Sequence, residues 1–167
     1  MSLLLNGAKT MTIAGTEMQC LEIYTGEAYT FPITFTDADG NAANALYPNA
    51  WTLGATAKFY TVDNVTYPDA DNVVLGNINL DDPQPDNTNY TLQTAFTNAQ
   101  IGTAYLYIGS DITGNGTGNA TPTVSLANSA ANSTLVIVTL EVTRESSANA
   151  SLDDINREPL GFIVRYQ

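Results

Sequence analysis

At 167 residues, with five Lys+Arg against seventeen Asp+Glu and no His, the chain carries a formal net charge of −12 at pH 7. That balance argues against phosphate-backbone partners and anionic membrane surfaces, both of which repel it. The lack of His removes the commonest general base and the His-containing triads, and the single Cys20 permits neither an intramolecular disulfide nor a cysteine-built zinc site.

The length suits one domain with a sizeable core. Asn, Thr, Ala and Gly are abundant, which favours strands and turns over helices. No apolar run is long enough to span a bilayer. Ser2–Asn6 is too short, and lacks the basic start, for a signal peptide. A lone Cys20 fits folding in a reducing cytosol and fits a thiol buried on a strand equally well. The Asn-x-Ser/Thr matches at Asn64, Asn89, Asn115, Asn119, Asn132 and Asn149 are expected by chance in so Asn- and Thr-rich a chain.

Residues 1–19 hold two short apolar pieces, Leu3–Leu5 and Thr10–Ile13, neither long enough to order itself. This predicts an extended N-terminal arm lying on a neighbouring chain, with Leu3, Leu4, Leu5 and Ile13 as the assembly contact. The sandwich domain is then expected over 20–167. Cys20–Tyr24 reads as a first strand. Ala28–Thr36 alternates, with Tyr29, Phe31, Ile33 and Phe35 on one face and Thr30, Pro32, Thr34 and Thr36 on the other. Pro32 lacks an N–H, which predicts an edge strand or a bulge there. Asp37–Asn41 is a turn signal built on Asp39-Gly40. Trp51–Tyr60 is the next strand, with Leu53, Ala55, Ala57 and Phe59 apolar on one face.

After the polar loop Asp63–Asp71, Asn72–Leu75 reads as a short strand that Ile78–Leu80 continues. Asp81–Asn87 breaks the chain. Tyr90–Phe96 and Ala104–Ile108 are strands, with a helical turn at Thr97–Gln100 capped by Thr97. Residues 110–132 form a long Gly/Asn/Thr-rich loop with nothing to pack, expected to be ordered by contacts. Thr134–Val142 is apolar on both faces and belongs at the centre of a sheet. Ser146–Asn156 is a polar excursion, and Pro159–Tyr166 closes the sheet. The pattern predicts an all-β fold, an antiparallel β-sandwich of about eight strands.

Gly26-Glu27, the aromatic strand after it, Asp37–Asn41, Leu53–Thr56 and Lys58–Tyr60 together resemble the immunoglobulin-like domain at the N-terminus of phage baseplate upper proteins. Such domains typically run Gly-Asp, strand, Asp-x-x-Gly, Leu-Thr-Gly-Ala-Thr, strand. Here the order is Thr52-Leu53-Gly54-Ala55-Thr56, and residues 42–50 separate the two halves. The likeness covers about a quarter of the chain. It implies an immunoglobulin-like sandwich used as a virion building block, and it carries over no catalytic residue. Trp51 stands where immunoglobulin-like domains often keep a core Trp, without the two cysteines it would pack against.

Carboxylate pairs occur at Asp37/Asp39, Asp69/Asp71, Asp81/Asp82 and Asp153/Asp154, all in turn-like stretches where Asp bonds its own backbone. Asp37–Asn41 does not begin an EF-hand, because the twelfth position is Pro48 where a Glu is required. A cation held between Asp-rich loops of neighbouring subunits is the remaining metal reading. No cofactor and no catalytic residue is expected. The function expected is a non-enzymatic structural protein of a tailed phage, made in the host cytoplasm and placed in the tail, baseplate or neck. Its partners would be copies of itself and other virion proteins, with no nucleic acid and no membrane. The alternatives are a capsid decoration protein and a sugar-binding adhesin module that uses some of the nine Tyr as stacking platforms.

Overall fold

A computed structural model describes residues 2–46, 50–63, 73–75, 91–113, 132–144 and 154–165. Its strands are β1 (Ser2–Leu5), β2 (Lys9–Ile13), β3 (Thr16–Tyr24), β4 (Tyr29–Thr36), β5 (Thr52–Asp63), β6 (Val73–Leu75), β7 (Leu92–Asn98), β8 (Thr103–Ile108), β9 (Asn132–Arg144) and β10 (Asp154–Arg165). A 3-10 turn at Ala99–Ile101 and one helical turn, α1 (Ser110–Thr113), are the only helical pieces among the described residues. Two sheets pack together as an all-β sandwich. One has the order β1-β4-β8-β7; the other, six-stranded, has the order β5-β9-β10-β3-β2-β6.

The N-terminal residues are not a free arm. β1 pairs with β4, from Ser2↔Thr36 to Leu5↔Ile33, and β2 pairs with β3 in the other sheet. Leu3, Leu5 and Ile13 are buried in the chain's own core; only Leu4 points out, 59% exposed. The expected boundary at residue 19 therefore falls inside β3 and divides nothing. Neither segment orders itself, as their length implies. The burial that offsets their ordering entropy comes from the same chain rather than from a neighbour.

The hairpin between β2 and β3 turns on Ala14 and Gly15, both at positive φ (49° and 84°). That is the two-residue geometry matching strand twist, with Ala14 in a region unfavourable to a residue bearing a Cβ. The hairpin brings β3 alongside β10 in the parallel sense, Leu160↔Gln19 to Arg165↔Tyr24. β2 and β6 also run parallel, so the six-stranded sheet is mixed and not purely antiparallel.

β4 is not an edge strand, because β1 and β8 flank it. Pro32 is accommodated because the β1 ladder ends one position earlier, at Leu5↔Ile33. The Asn6 N–H still donates to the Pro32 carbonyl, at 3.5 Å, so only the missing N–H goes unmatched, where no strand continues.

The core between the sheets is built from alternate residues: Ile33 and Phe35 of β4, Leu106 and Ile108 of β8, Val136 to Val142 at even positions of β9, and Leu160, Phe162 and Val164 of β10. Phe31 is half-buried against this core and stacks between Tyr29 and Phe162, at centroid distances of 5.6 and 5.3 Å. Trp51 meets Phe35 edge-on at 6.4 Å. A second cluster lies on the opposite face of the six-stranded sheet: Met11, Ile13, Met18, Cys20, Tyr60, Leu135, Ile137 and Ile163. β9 is thus apolar on both faces and sits between β5 and β10, the central place its composition predicts. The Phe59 side chain, Ile78–Leu80, Tyr90 and most of the 110–132 loop lie outside the described residues. The two ends of that loop are ordered elements, α1 and the first residue of β9.

The cap of the helical turn shifts by one residue from the expected Thr97. Asn98 Oδ1 accepts from the Gln100 N–H at 3.1 Å, and Gly102 closes the turn at φ 60°. Gly102 also lies where a Cβ would meet the carbonyls of Ala43 and Phe35 at 2.7 and 2.8 Å, so glycine is required there.

Candidate functional site

Charge is segregated by sheet. Not one of the five basic or seventeen acidic residues falls on β1, β4, β7 or β8. The six-stranded sheet carries Lys9, Glu17, Glu22, Lys58, Asp63, Glu141, Arg144, Asp154, Arg157, Glu158 and Arg165. In the four-stranded sheet the inward positions fill the core, and the outward ones are left to uncharged side chains.

That outward face has a defined layout. Register places Pro32 opposite Tyr105 and Tyr105 opposite Ala95. One row along, Thr30, Tyr107 and Gln93 align, and on the other side Leu4, Thr34 and Thr103 do. Tyr105 and Tyr107 alternate with the buried Ala104, Leu106 and Ile108 on β8, so their rings stand on the outer side, half-buried among their neighbours. Thr30, Pro32, Gln93 and Leu4 are exposed. The result is a patch of hydroxyls, two Tyr rings, Pro, Leu and one carboxamide.

One end of the sandwich carries a polar network. The Tyr29 hydroxyl donates to Glu27 at 2.7 Å and accepts from the Tyr24 N–H at 2.8 Å. Tyr24 donates to Glu22, which also pairs with Arg165 at 3.0 Å. Burial and the Glu27 carboxylate push Tyr29 up to about 12, and Glu22 raises Tyr24. α1 is tied to this end: the Thr113 hydroxyl donates to the Glu27 carbonyl, and the Gly26 N–H to the Thr113 carbonyl. At the far end Arg144 pairs with Asp154 and lies over the Trp51 ring, 5.6 Å from its centroid. Trp51 Nε1, Arg144 Nε and Asn156 Nδ2 are buried there with no hydrogen-bond partner among the described residues. These networks tie neighbouring elements together at the two ends of the sandwich.

The Asp37 carboxylate is occupied by its own turn. Its Oδ1 accepts from the backbone N–H of Asp39 and of Asn41, both at 2.9 Å. The Asn41 and Asp39 backbone N–H groups hold it below the usual carboxylate range. Both bonds fall on Oδ1, the pattern of an Asx-type turn, and Oδ2 takes only a 3.5 Å contact from Asn41 Nδ2. Asp69, Asp71, Asp81, Asp82 and Asp153 lie outside the described residues. Among the described residues no three His, Cys, Asp or Glu side chains form a set that could hold a metal ion, and no helix is long and apolar enough to cross a membrane.

Of the residues expected to make an assembly contact, only Leu4 lies on the uncharged face; Leu3, Leu5 and Ile13 are interior. The residues sequence reasoning missed as a surface are Thr30, Pro32, Gln93, Tyr105 and Tyr107. Their signal was the lack of charge in four strands, which becomes a surface only once those strands share a sheet. No family model and no curated protein matches the chain.

Proposed function

We propose that this chain is a non-enzymatic structural protein of a tailed-phage virion, built on an immunoglobulin-like sandwich and working in the tail, baseplate or neck. The observation that carries the reading is strand order. In an immunoglobulin-type sandwich the first, second, fifth and fourth strands form one sheet in the order A-B-E-D, and C-F-G form the other. Here β1-β4-β8-β7 stands against β5-β9-β10, with β3, β2 and β6 added beyond β10; leaving those three additions aside, the chain visits the strands in the corresponding sequence. The stretch that resembles baseplate domains falls on matching elements: Gly26 in the turn before β4, Asp37–Asn41 after it, and Leu53–Thr56 on β5. An uncharged sheet face on a strongly acidic chain supports an assembly role, because charged residues are depleted where interfaces form. Its partners are copies of itself and other virion proteins.

The test is fractionation of particles purified from cells that carry the gene, with the chain followed by mass spectrometry. Recovery with isolated tails or baseplates is expected. Recovery with emptied capsids would make it a decoration protein, and absence from every particle fraction would overturn the virion reading.

A further inference from the structure

We infer that Asn6 is a site of spontaneous covalent modification, at which the Gly7 backbone nitrogen displaces the side-chain amide and the altered linkage loosens β1. Asn6 and Gly7 form the corner between β1 and β2, where the chain passes from one sheet to the other. The Ala8 N–H closes this four-residue turn by donating to the Leu5 carbonyl at 3.1 Å, and Gly7 stands third in it at φ 81°. Asn6 and Gly7 are both exposed. The Asn6 carboxamide and the Gly7 N–H have no hydrogen-bond partner among the described residues. The carboxamide is therefore free to swing toward the main chain, and no bond has to break before the nitrogen attacks. Gly7 has no side chain to crowd a ring closing on its nitrogen.

The other described asparagines lack this combination. Asn41 Nδ2 reaches the Asp37 carboxylate, and the Asn44 and Asn98 side chains each accept a backbone N–H two residues on. Asn156 is half-buried on β10. Asn132 opens β9, and its successor Ser133 is buried. Each of these is followed by a residue that carries a Cβ. The second Asn-Gly pair, Asn115-Gly116, lies outside the described residues.

The step balances with water as the only co-reactant. The Gly7 nitrogen gives up its proton to solvent base and bonds to Asn6 Cγ. The bond from Cγ to the side-chain nitrogen breaks, and that nitrogen takes a proton and leaves as ammonia. Water then opens the five-membered imide. Addition at Cγ leaves an ordinary aspartyl linkage. Addition at the main-chain carbonyl carbon leaves an isoaspartyl linkage, in which the backbone runs through Cβ and Cγ and is one atom longer. Either product adds a negative charge to a chain already at −12. The longer linkage falls inside the turn, next to the Leu5↔Ile33 pair and the Asn6 N–H bond to the Pro32 carbonyl. β1 has four residues and inserts Leu3 and Leu5 into the core, so a shift at its connection to β2 weakens a strand with little ladder to spare.

The experiment ages the full folded chain in parallel at about pH 7 and about pH 9. Cleavage after Lys9 then releases the peptide that carries Asn6, which is followed by mass and by isoaspartyl methyltransferase labelling. A gain of about 1 Da with label is expected, faster at the higher pH because the nitrogen attacks as its anion. Asn6 should convert faster than Asn41, Asn44, Asn98 or Asn156, and the melting temperature of the aged chain should fall. Asn6→Gln, whose ring would have six members and closes far more slowly, should keep more of its melting temperature over the same ageing. Fresh Asn6→Asp has the charge without the longer backbone and should melt with the fresh wild type. If Asn6→Gln does not fold, the mass and melting of the wild type decide. An unmodified Asn6 in the folded chain, over a period in which the free peptide of residues 1–9 converts, overturns the inference. So does equal conversion at the other four asparagines. Conversion that leaves the melting temperature unchanged, or an equal loss in Asn6→Gln or in fresh Asn6→Asp, overturns the loosening of β1.

Discussion

The Gln19 carboxamide stands in for a missing strand beside Leu5. Its Oε1 accepts from the Leu5 N–H at 2.8 Å, and its Nε2 donates to the Leu3 carbonyl at 2.6 Å. β1 is an edge strand, so these backbone groups would otherwise be open to another chain. Because Gln19 belongs to β3, the same two bonds clip one sheet to the other along that side. Gln19→Leu leaves both groups unpartnered and should cost about 1–3 kcal/mol, read as a lower urea midpoint. An unchanged midpoint would mean that solvent replaces the amide without loss.

The N-terminal residues are load-carrying strands of the sandwich. Deleting residues 1–14 removes Leu3, Leu5, Met11 and Ile13 from two clusters at once. Each such truncation alone costs about 2–5 kcal/mol, against a total stability of about 5–15 kcal/mol. The shortened chain should show no cooperative thermal transition. Leu4→Ser, on the exposed position between them, should change the melting temperature little; a large drop would show that Leu4 is covered.

Gly161 on β10 is held small by sulfur. A Cβ there would lie 2.5 Å from Cys20 Sγ and 3.3 Å from Met18 Sδ. Gly161→Ala should therefore destabilise by about 1–3 kcal/mol, as overpacking does. Cys20→Ala should recover much of that loss in the double variant. Additive effects in the four-way cycle would show that the two positions do not compete for space.

Alkaline pH should unfold the protein through two groups. Burial pushes the Cys20 thiol from 9.0 up to about 12, and burial with the Glu27 bond pushes Tyr29 from 10.0 up to about 12. Both folded values lie above the unfolded ones, so the folded state holds these protons more tightly. Their contribution is complete below pH about 9 and fades as pH rises to about 12. Denaturant midpoints should fall across that window. Cys20→Ala should flatten the lower part of the decline and Tyr29→Phe the upper part. Native Cys20 should also resist thiol reagents at neutral pH, since the thiolate is the reactive form.

Local patterns were legible where a segment's own period decided its state. The alternation of Tyr29, Phe31, Ile33 and Phe35 identifies β4 and its inward face, and the two-sided apolar run of β9 identifies a central strand. Leu3-Leu4-Leu5 has no period, so nothing local says that Leu3 and Leu5 go inward and Leu4 outward; pairing with Thr36 to Ile33 says it. β10 begins at Asp154 in a polar stretch because β9 offers a continuous ladder from Arg144 to Ser133, not because Asp154 to Glu158 favour a strand. Pro32 misled for the same reason, since its cost depends on where the β1 ladder stops.

Composition and local patterning specify an all-β chain, the faces of its regular strands, its acidity and its lack of histidine. Those properties follow from composition and from a two-residue period, which any short window carries. Which strands share a sheet is set by long-range pairing. That choice buried the N-terminal leucines within the same chain and brought β3 alongside β10. It also gathered four charge-free strands, drawn from distant parts of the chain, into one surface. Sheet membership rests on hydrogen bonds and burial between residues far apart in sequence, and a local pattern does not encode them.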